Sequence, residues 1–123
     1  MAEETLQIKQ LTSGNIIFAE GDAGDAAYIV ESGIVEISKS SGHGASLTLA
    51  TVKAGEMFGE MALIDASPRM ATATAIGKTR VVVIPKAAFG KLLRKTDVVI
   101  RTILTTLMER LRDQTKRSIR NTL

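Results

Sequence analysis

Glu20-Gly21-Asp22-Ala23-Gly24-Asp25-Ala26-Ala27-Tyr28-Ile29-Val30-Glu31-Ser32-Gly33-Ile34-Val35 is the stretch on which the fold turns. Its two Gly-Asp pairs favour turns, because glycine admits positive φ and aspartate bonds to its own backbone. Tyr28–Val30 and Ile34–Ile37 are β-prone runs on either side of the turn signal Ser32-Gly33. The same rhythm continues outward in both directions. Upstream, Leu6–Leu11 alternates apolar and polar residues, Ser13-Gly14-Asn15 reads as a turn, and Asn15–Ala19 is β-rich. Downstream, Leu47–Val52 follows the loop Ser40-Ser41-Gly42-His43-Gly44, and Ala71–Ile76 with Thr79–Ile84 reads as a hairpin around Gly77-Lys78. Many short strands without a helical pattern between them predict a mainly β fold with C-terminal helices, a double-stranded β-helix (jelly-roll) barrel over about residues 6–85. A βαβ arrangement is disfavoured, since no segment before residue 85 is long enough for a crossover helix.

After Pro85 the period changes. Lys86–Lys95 and Asp97 to about Arg120 are rich in Leu, Lys, Arg and Met, which favour helix. Pro85 suits a helix start, and Thr96-Asp97 suits a break followed by an N-cap. Ile100, Ile103, Leu104, Leu107, Met108 and Leu111 recur at three- and four-residue spacing as one apolar stripe. Beyond Leu111 the stripe thins to Ile119 and Leu123.

Composition narrows the function classes. The 123 residues suit a single domain, 1–123, and 45% hydrophobic residues suit a globular one. The absence of cysteine excludes disulfide frameworks, zinc knuckles and thiol catalysis. One histidine, His43 in a Ser/Gly loop, cannot supply a metal centre or a held general base, so neither metal nor catalytic residue is expected and an enzyme is the poor hypothesis. Aromatics at 3% leave no stacking platform for single-stranded nucleic acid. Residues 1–85 carry 6 basic and 10 acidic side chains, whereas 86–123 carry 10 basic and 3 acidic. The basic character therefore belongs to the C-terminal third, and the chain as a whole is not a basic nucleic-acid binder. No apolar run approaches the ~18 residues of a membrane span, and the acidic N-terminus has no apolar signal core, so a cytoplasmic location is expected.

Gly55 to Ala73 carries the functional signal. A glycine leads into Glu60–Asp65, good helix formers that Ser67-Pro68 stops, and Arg69 opens the next strand. Backbone N–H groups of Gly59 to Ala62 at that helix start favour an anion. A guanidinium from the following strand closes the same pocket with a fork suited to phosphate oxygens. Glu60 would repel a bare phosphate, but it can accept a hydrogen bond from a neighbouring sugar hydroxyl. A monoanionic phosphate beside a free ribose 2′-hydroxyl satisfies all three features.

In the Glu20–Val35 and Phe58–Ala73 segments the sequence resembles the cyclic nucleotide-binding domain family, which includes protein kinase A regulatory subunits and the catabolite activator protein. The resemblance spans roughly residues 6–118 and makes 58–73 similar to that family's phosphate-binding cassette. It implies a β-roll of the cyclic nucleotide-binding type and a sensor for cyclic AMP, with cyclic GMP as the second ligand and no further cofactor. It implies that Arg69 grips the exocyclic phosphate oxygens, Glu60 holds the ribose 2′-hydroxyl, and N–H groups of Gly59, Met61, Ala62, Met70 and Ala71 surround them. Relatives that favour cyclic GMP often carry threonine directly after the cassette arginine. Met70 at that position leans toward cyclic AMP, although Thr72 lies nearby. The resemblance also implies a last helix that covers the base, with Gln114 and Thr115 near adenine, and Leu63 coupling the cassette to the C-terminal helices.

The partners expected are the cyclic nucleotide, a second copy through the Ile100–Leu111 helix, and an effector protein that the sequence does not name. The catabolite activator protein continues into a helix-turn-helix, whereas no DNA-reading element is expected within this chain. The rival is a ligand-free interaction or dimerisation module on the same fold. A DNA-associated role through the basic tail (Arg110, Arg112, Lys116, Arg117, Arg120) ranks lower and requires steeply salt-sensitive binding.

Overall fold

A computed structural model describes residues 6–65 and 67–122, the segment 115–122 by its backbone alone. Six strands form one antiparallel sheet: β1 (Gln7–Leu11), β2 (Ile16–Phe18), β3 (Ala26–Ser40), β4 (Ser46–Lys53), β5 (Met57–Phe58) and β6 (Thr72–Pro85). Their order is β1-β6-β3-β4, with β2 added to β6 and β5 to β3. A 3-10 turn, Glu60–Leu63, lies between β5 and β6, and helices α1 (Lys86–Lys95) and α2 (Val98–Thr122) follow. The mainly β roll with two C-terminal helices is thus the architecture of this chain.

The structure corrects the expected hairpin at Gly77-Lys78. β6 does not reverse there but runs on as one strand, paired with β3 from Ser38↔Thr72 to Ala26↔Pro85. Between the pairs Ser32↔Arg80 and Ile34↔Ile76, Gly33 alone faces three residues of β6, Gly77 to Thr79. This bulge lets two long paired strands turn a corner together. Gly33 is required there. Its φ is +94°, and a Cβ would lie 2.6 Å from the Lys78 carbonyl oxygen. Thr79, 1% exposed, closes the corner by donating its hydroxyl toward the carbonyls of Ile34 and Gly77, each at 3.2 Å.

Alternation along the strands sends Val30, Val35, Val52, Ala73, Ala75 and Val81 inward with Leu11 and Phe58, and these make the main core. Stiff β-branched side chains suit such a pleated interior. Ile17, Phe18, Tyr28 and Ile37 pack at its margin. A second cluster joins Ala27, Leu63 and Ile84, with Leu6, Ile29, Ile64 and Phe89 packed against it. It connects the 3-10 turn to the first turn of α1.

Pro85 caps α1, and Asp97 begins α2 by accepting the Val99 N–H at 2.9 Å on its carboxylate and the Arg101 N–H at 2.8 Å on its carbonyl. The apolar stripe of α2 is largely in solvent, with Ile103 50% and Leu107 54% exposed.

Candidate functional site

β5 delivers the chain into Gly59, whose φ of 70° and ψ of 19° turn it sharply into the 3-10 helix. A residue with a Cβ has no room there. The added atom would lie 2.9 Å from Nη1 of Arg69 and 3.1 Å from the Phe18 ring. The expected one and a half turns of helix contract to a single tight turn, because the Ile64 and Asp65 N–H groups both return to the Met61 carbonyl. The Ala62 N–H donates to the Gly59 carbonyl at 3.3 Å and is therefore engaged in the turn itself.

Arg69 is placed by its backbone before its side chain. Its N–H donates to the Asp22 carbonyl and its carbonyl accepts from Gly21, both at 2.8 Å, which ties it to the first Gly-Asp turn. The side chain then runs inward and is only 9% exposed. Nη2 donates to the Ala26 carbonyl at 2.7 Å and Nη1 to the Gly59 carbonyl at 3.1 Å. Cζ stands 4.0 Å from the centroid of the Phe18 ring, a cation–π distance. Phe18, Tyr28 and Phe58 gather in turn, with Tyr28 and Phe58 stacked at 5.2 Å.

Nε of Arg69 is buried without a hydrogen-bond partner. Among the described residues no carboxylate lies within ion-pairing distance of this guanidinium. A buried cation held by two carbonyls and an aromatic face, with no counter-ion, keeps much of its desolvation cost. An anion supplying charge-assisted bonds would offset that cost.

A cavity of about 490 Å³ opens beside it. Gly59, Glu60, Met61, Ala62, Arg69, Met70 and Ala71 all line this cavity, so the fold brings together seven of the ten residues singled out above. Glu60 is partly buried, and among the described residues no hydrogen bond or ion pair engages its carboxylate. Thr72 is not a lining residue. Its hydroxyl accepts the Glu20 N–H at 2.9 Å, and Glu20 accepts the Ser40 N–H at 3.0 Å, which fastens the end of the cassette to β3. Gln114 is exposed on α2 and is not in the cavity wall, and the side chain of Thr115 lies outside the described residues. His43 is exposed in the β3–β4 loop, and among the described residues no group of three or more metal-ligating side chains gathers. No described helix is long and apolar enough to cross a membrane.

Sequence reasoning missed Phe18, Ile37, Ala50 and Val52, which line the cavity together with Met57 and Phe58 at the start of the functional stretch. The alternation of β3 that sends Val35 inward carried a signal for Ile37, whereas in β4 the apolar alternation falls on the exposed Leu47 and Leu49 and points away from Val52. Nothing local marked Phe18, which reaches the cavity through the pairing of β2 with β6.

The fold and the site thus define a β-roll with a cavity beside a buried arginine that has no carboxylate within ion-pairing distance among the described residues. The chain belongs to the cyclic nucleotide-binding domain family, whose model matches residues 8–96. It is 42% identical over 90 residues to a cAMP-dependent protein kinase regulatory subunit of Yarrowia lipolytica, covering 73% of this chain and 23% of that one. It is 34% identical over 113 residues to the cyclic AMP receptor protein of Thermus thermophilus, covering 92% of this chain and 52% of that one. Among solved structures, the half-site-occupied form of the EAL enzyme Bd1971 superposes with a TM-score of 0.84 at 35% identity, covering 90% of this chain and 99% of that one. The chain spans about half or less of the length of these two curated relatives.

Proposed function

We propose that the cavity binds a 3′,5′-cyclic nucleotide, cyclic AMP first and cyclic GMP second, and that the chain is a sensor whose ligand moves its C-terminal helices. The observation that carries this is the buried Arg69 guanidinium, with Nε unpartnered and no carboxylate within ion-pairing distance among the described residues. The cyclic phosphate meets Arg69 and the N–H groups around Gly59, Glu60 and Met61, and the Glu60 carboxylate accepts the ribose 2′-hydroxyl. Met61, Met70 and Ala71 lie at the base and phosphate margins, and the base rests against the apolar wall. No step of bond making or breaking is assigned to the site. Two relatives named for cyclic AMP support the choice of ligand, as do the cyclic AMP-bound and cyclic GMP-bound forms of Bd1971.

Movement follows from the second apolar cluster. Leu63 on the 3-10 turn, 9% exposed, shares that cluster with Ile84 and Phe89. A ligand that draws Gly59–Ala62 toward its phosphate shifts Leu63, and α1 must follow or lose the contact. The ligand thereby selects one of two helix positions. The whole unit, 1–123, works as one domain in this scheme, and α2 supplies Gln114 and Thr115 over the base once it closes. Isothermal titration with cyclic AMP tests the proposal. Saturable 1:1 binding is expected, and no heat at millimolar nucleotide rejects it.

The exposed α2 stripe favours a second reading, a dimerisation module that binds no nucleotide. Ile100, Ile103, Leu104, Leu107 and Leu111 are each between 38% and 54% exposed. Such a module shows no thermal shift with any cyclic nucleotide, whereas a sensor is stabilised by mass action.

A further inference from the structure

Three of the five methionines, Met57, Met61 and Met70, line the single cavity described above, although they come from β5, the 3-10 turn and the segment before β6. Met57 is 46% and Met70 42% exposed, and Met61 is half-buried. Met108, half-buried on α2, is not part of the cavity wall. A thioether needs no ionisation and no neighbouring base to be oxidised; it needs only access to the oxidant. The surroundings make the product costly to bury. Ile37, Ala50 and Val52 offer no side-chain donor to a sulfoxide oxygen, Glu60 and Asp65 are acceptors, and the lining side-chain donors are the Ser67 hydroxyl and the Arg69 guanidinium. Among the described residues Arg69 is the one cation lining the cavity, so a sulfoxide oxygen stays hydrated or takes up a donor, the guanidinium or a neighbouring N–H, that the ligand needs.

We propose that Met57, Met61 and Met70 are a modification site, at which oxidation by a peroxide to methionine sulfoxide weakens nucleotide binding reversibly. The thioether lone pair attacks a peroxide oxygen, the S–O bond forms as the O–O bond breaks, and the sulfide loses two electrons. The peroxide takes them up and leaves as water, or as an alcohol if it was organic. The polar, chiral sulfoxide then stands where the apolar face of the base would pack. This rests on the cyclic nucleotide reading above.

The test is titration of cyclic AMP into the full chain before and after limited hydrogen peroxide treatment, with peptide mass mapping of each methionine. Oxidation at Met57 and Met70 should weaken binding about tenfold, as expected for burying an unpaired polar group. Methionine sulfoxide reductases A and B together should restore the affinity, and bound cyclic AMP should protect the three residues. In the variant combining Met57→Leu, Met61→Leu and Met70→Leu, similar in volume, the ratio of treated to untreated affinity should be near one. Met108→Leu should remain as peroxide-sensitive as the parent. Mapped oxidation of Met57 and Met70 with unchanged affinity overturns the proposal and leaves the nucleotide reading standing, as does sensitivity lost in Met108→Leu alone. Untreated protein that binds no cyclic nucleotide overturns both.

Discussion

Gly24 and Arg69 are in such close approach that a Cβ on residue 24 would lie 2.5 Å from Nε and 2.7 Å from Cζ of the guanidinium. The second Gly-Asp turn is therefore one wall of the slot that holds the arginine in its buried pose. Gly24→Ala must push the side chain off the Ala26 and Gly59 carbonyls. Overpacking of this kind costs about 1–3 kcal/mol, and cyclic AMP affinity is expected to fall about tenfold. Titration calorimetry of this variant checks the outcome, and an unchanged Kd would mean the arginine needs no such slot.

Arg69→Met separates binding from folding. Loss of the charge-assisted phosphate bonds, worth about 3 kcal/mol, should weaken cyclic AMP roughly a hundredfold. In the ligand-free protein the same change removes a buried cation that lacks a counter-ion but also the donors to the Ala26 and Gly59 carbonyls, so the two effects oppose and Tm should change little. Differential scanning calorimetry with and without ligand measures both. A large fall in the ligand-free Tm would make Arg69 a structural strut instead.

Glu60→Gln should cost about tenfold in affinity for cyclic AMP, since a hydrogen bond to a charged acceptor is replaced by a neutral one. The companion ligand, 2′-deoxy cyclic AMP, should bind parent and variant alike. A deoxy ligand that still distinguishes the two proteins would detach Glu60 from the ribose.

Leu63→Ala should destabilise the fold by about 2–4 kcal/mol in urea unfolding, because it leaves a cavity in the second apolar cluster. Its sharper effect is on coupling. Cyclic AMP should slow amide exchange in α1 of the parent but not of the variant. Equal protection of α1 in both would show that the helices respond through another route.

Leu104→Glu combined with Leu107→Glu places two charges on the exposed stripe of α2. Light scattering should show the parent as a dimer and the variant as a monomer, with cyclic AMP still bound. Loss of the interface should lower the urea midpoint and make it independent of protein concentration, whereas the midpoint of a dimeric parent rises with concentration.

The local code of this chain marked most of the residues that gather at the candidate site and determined what kind of fold holds them. Turn residues at short intervals, β-branched runs between them and the change of period after Pro85 suffice for a β-roll followed by helices. Glu60, Arg69 and the glycine before them were legible through the joint match of Gly59-Glu60, Pro68-Arg69 and Ala71-Thr72 to the family's cassette; taken alone, Glu60 reads as a helix-start acid and Arg69 as a surface cation. What needed three dimensions is whatever depends on pairing between distant segments. Gly77-Lys78 carries a hairpin signal, yet β6 stays on β3 across the bulge at Gly33, since only the register between the two strands decides whether a glycine pair reverses a chain or bends it. The closeness of Gly24 to Arg69, and Phe18 beneath the guanidinium, likewise arise from residues 45 and 51 positions apart in the chain. Packing, not propensity, set those distances, and packing left the Arg69 Nε buried without a partner.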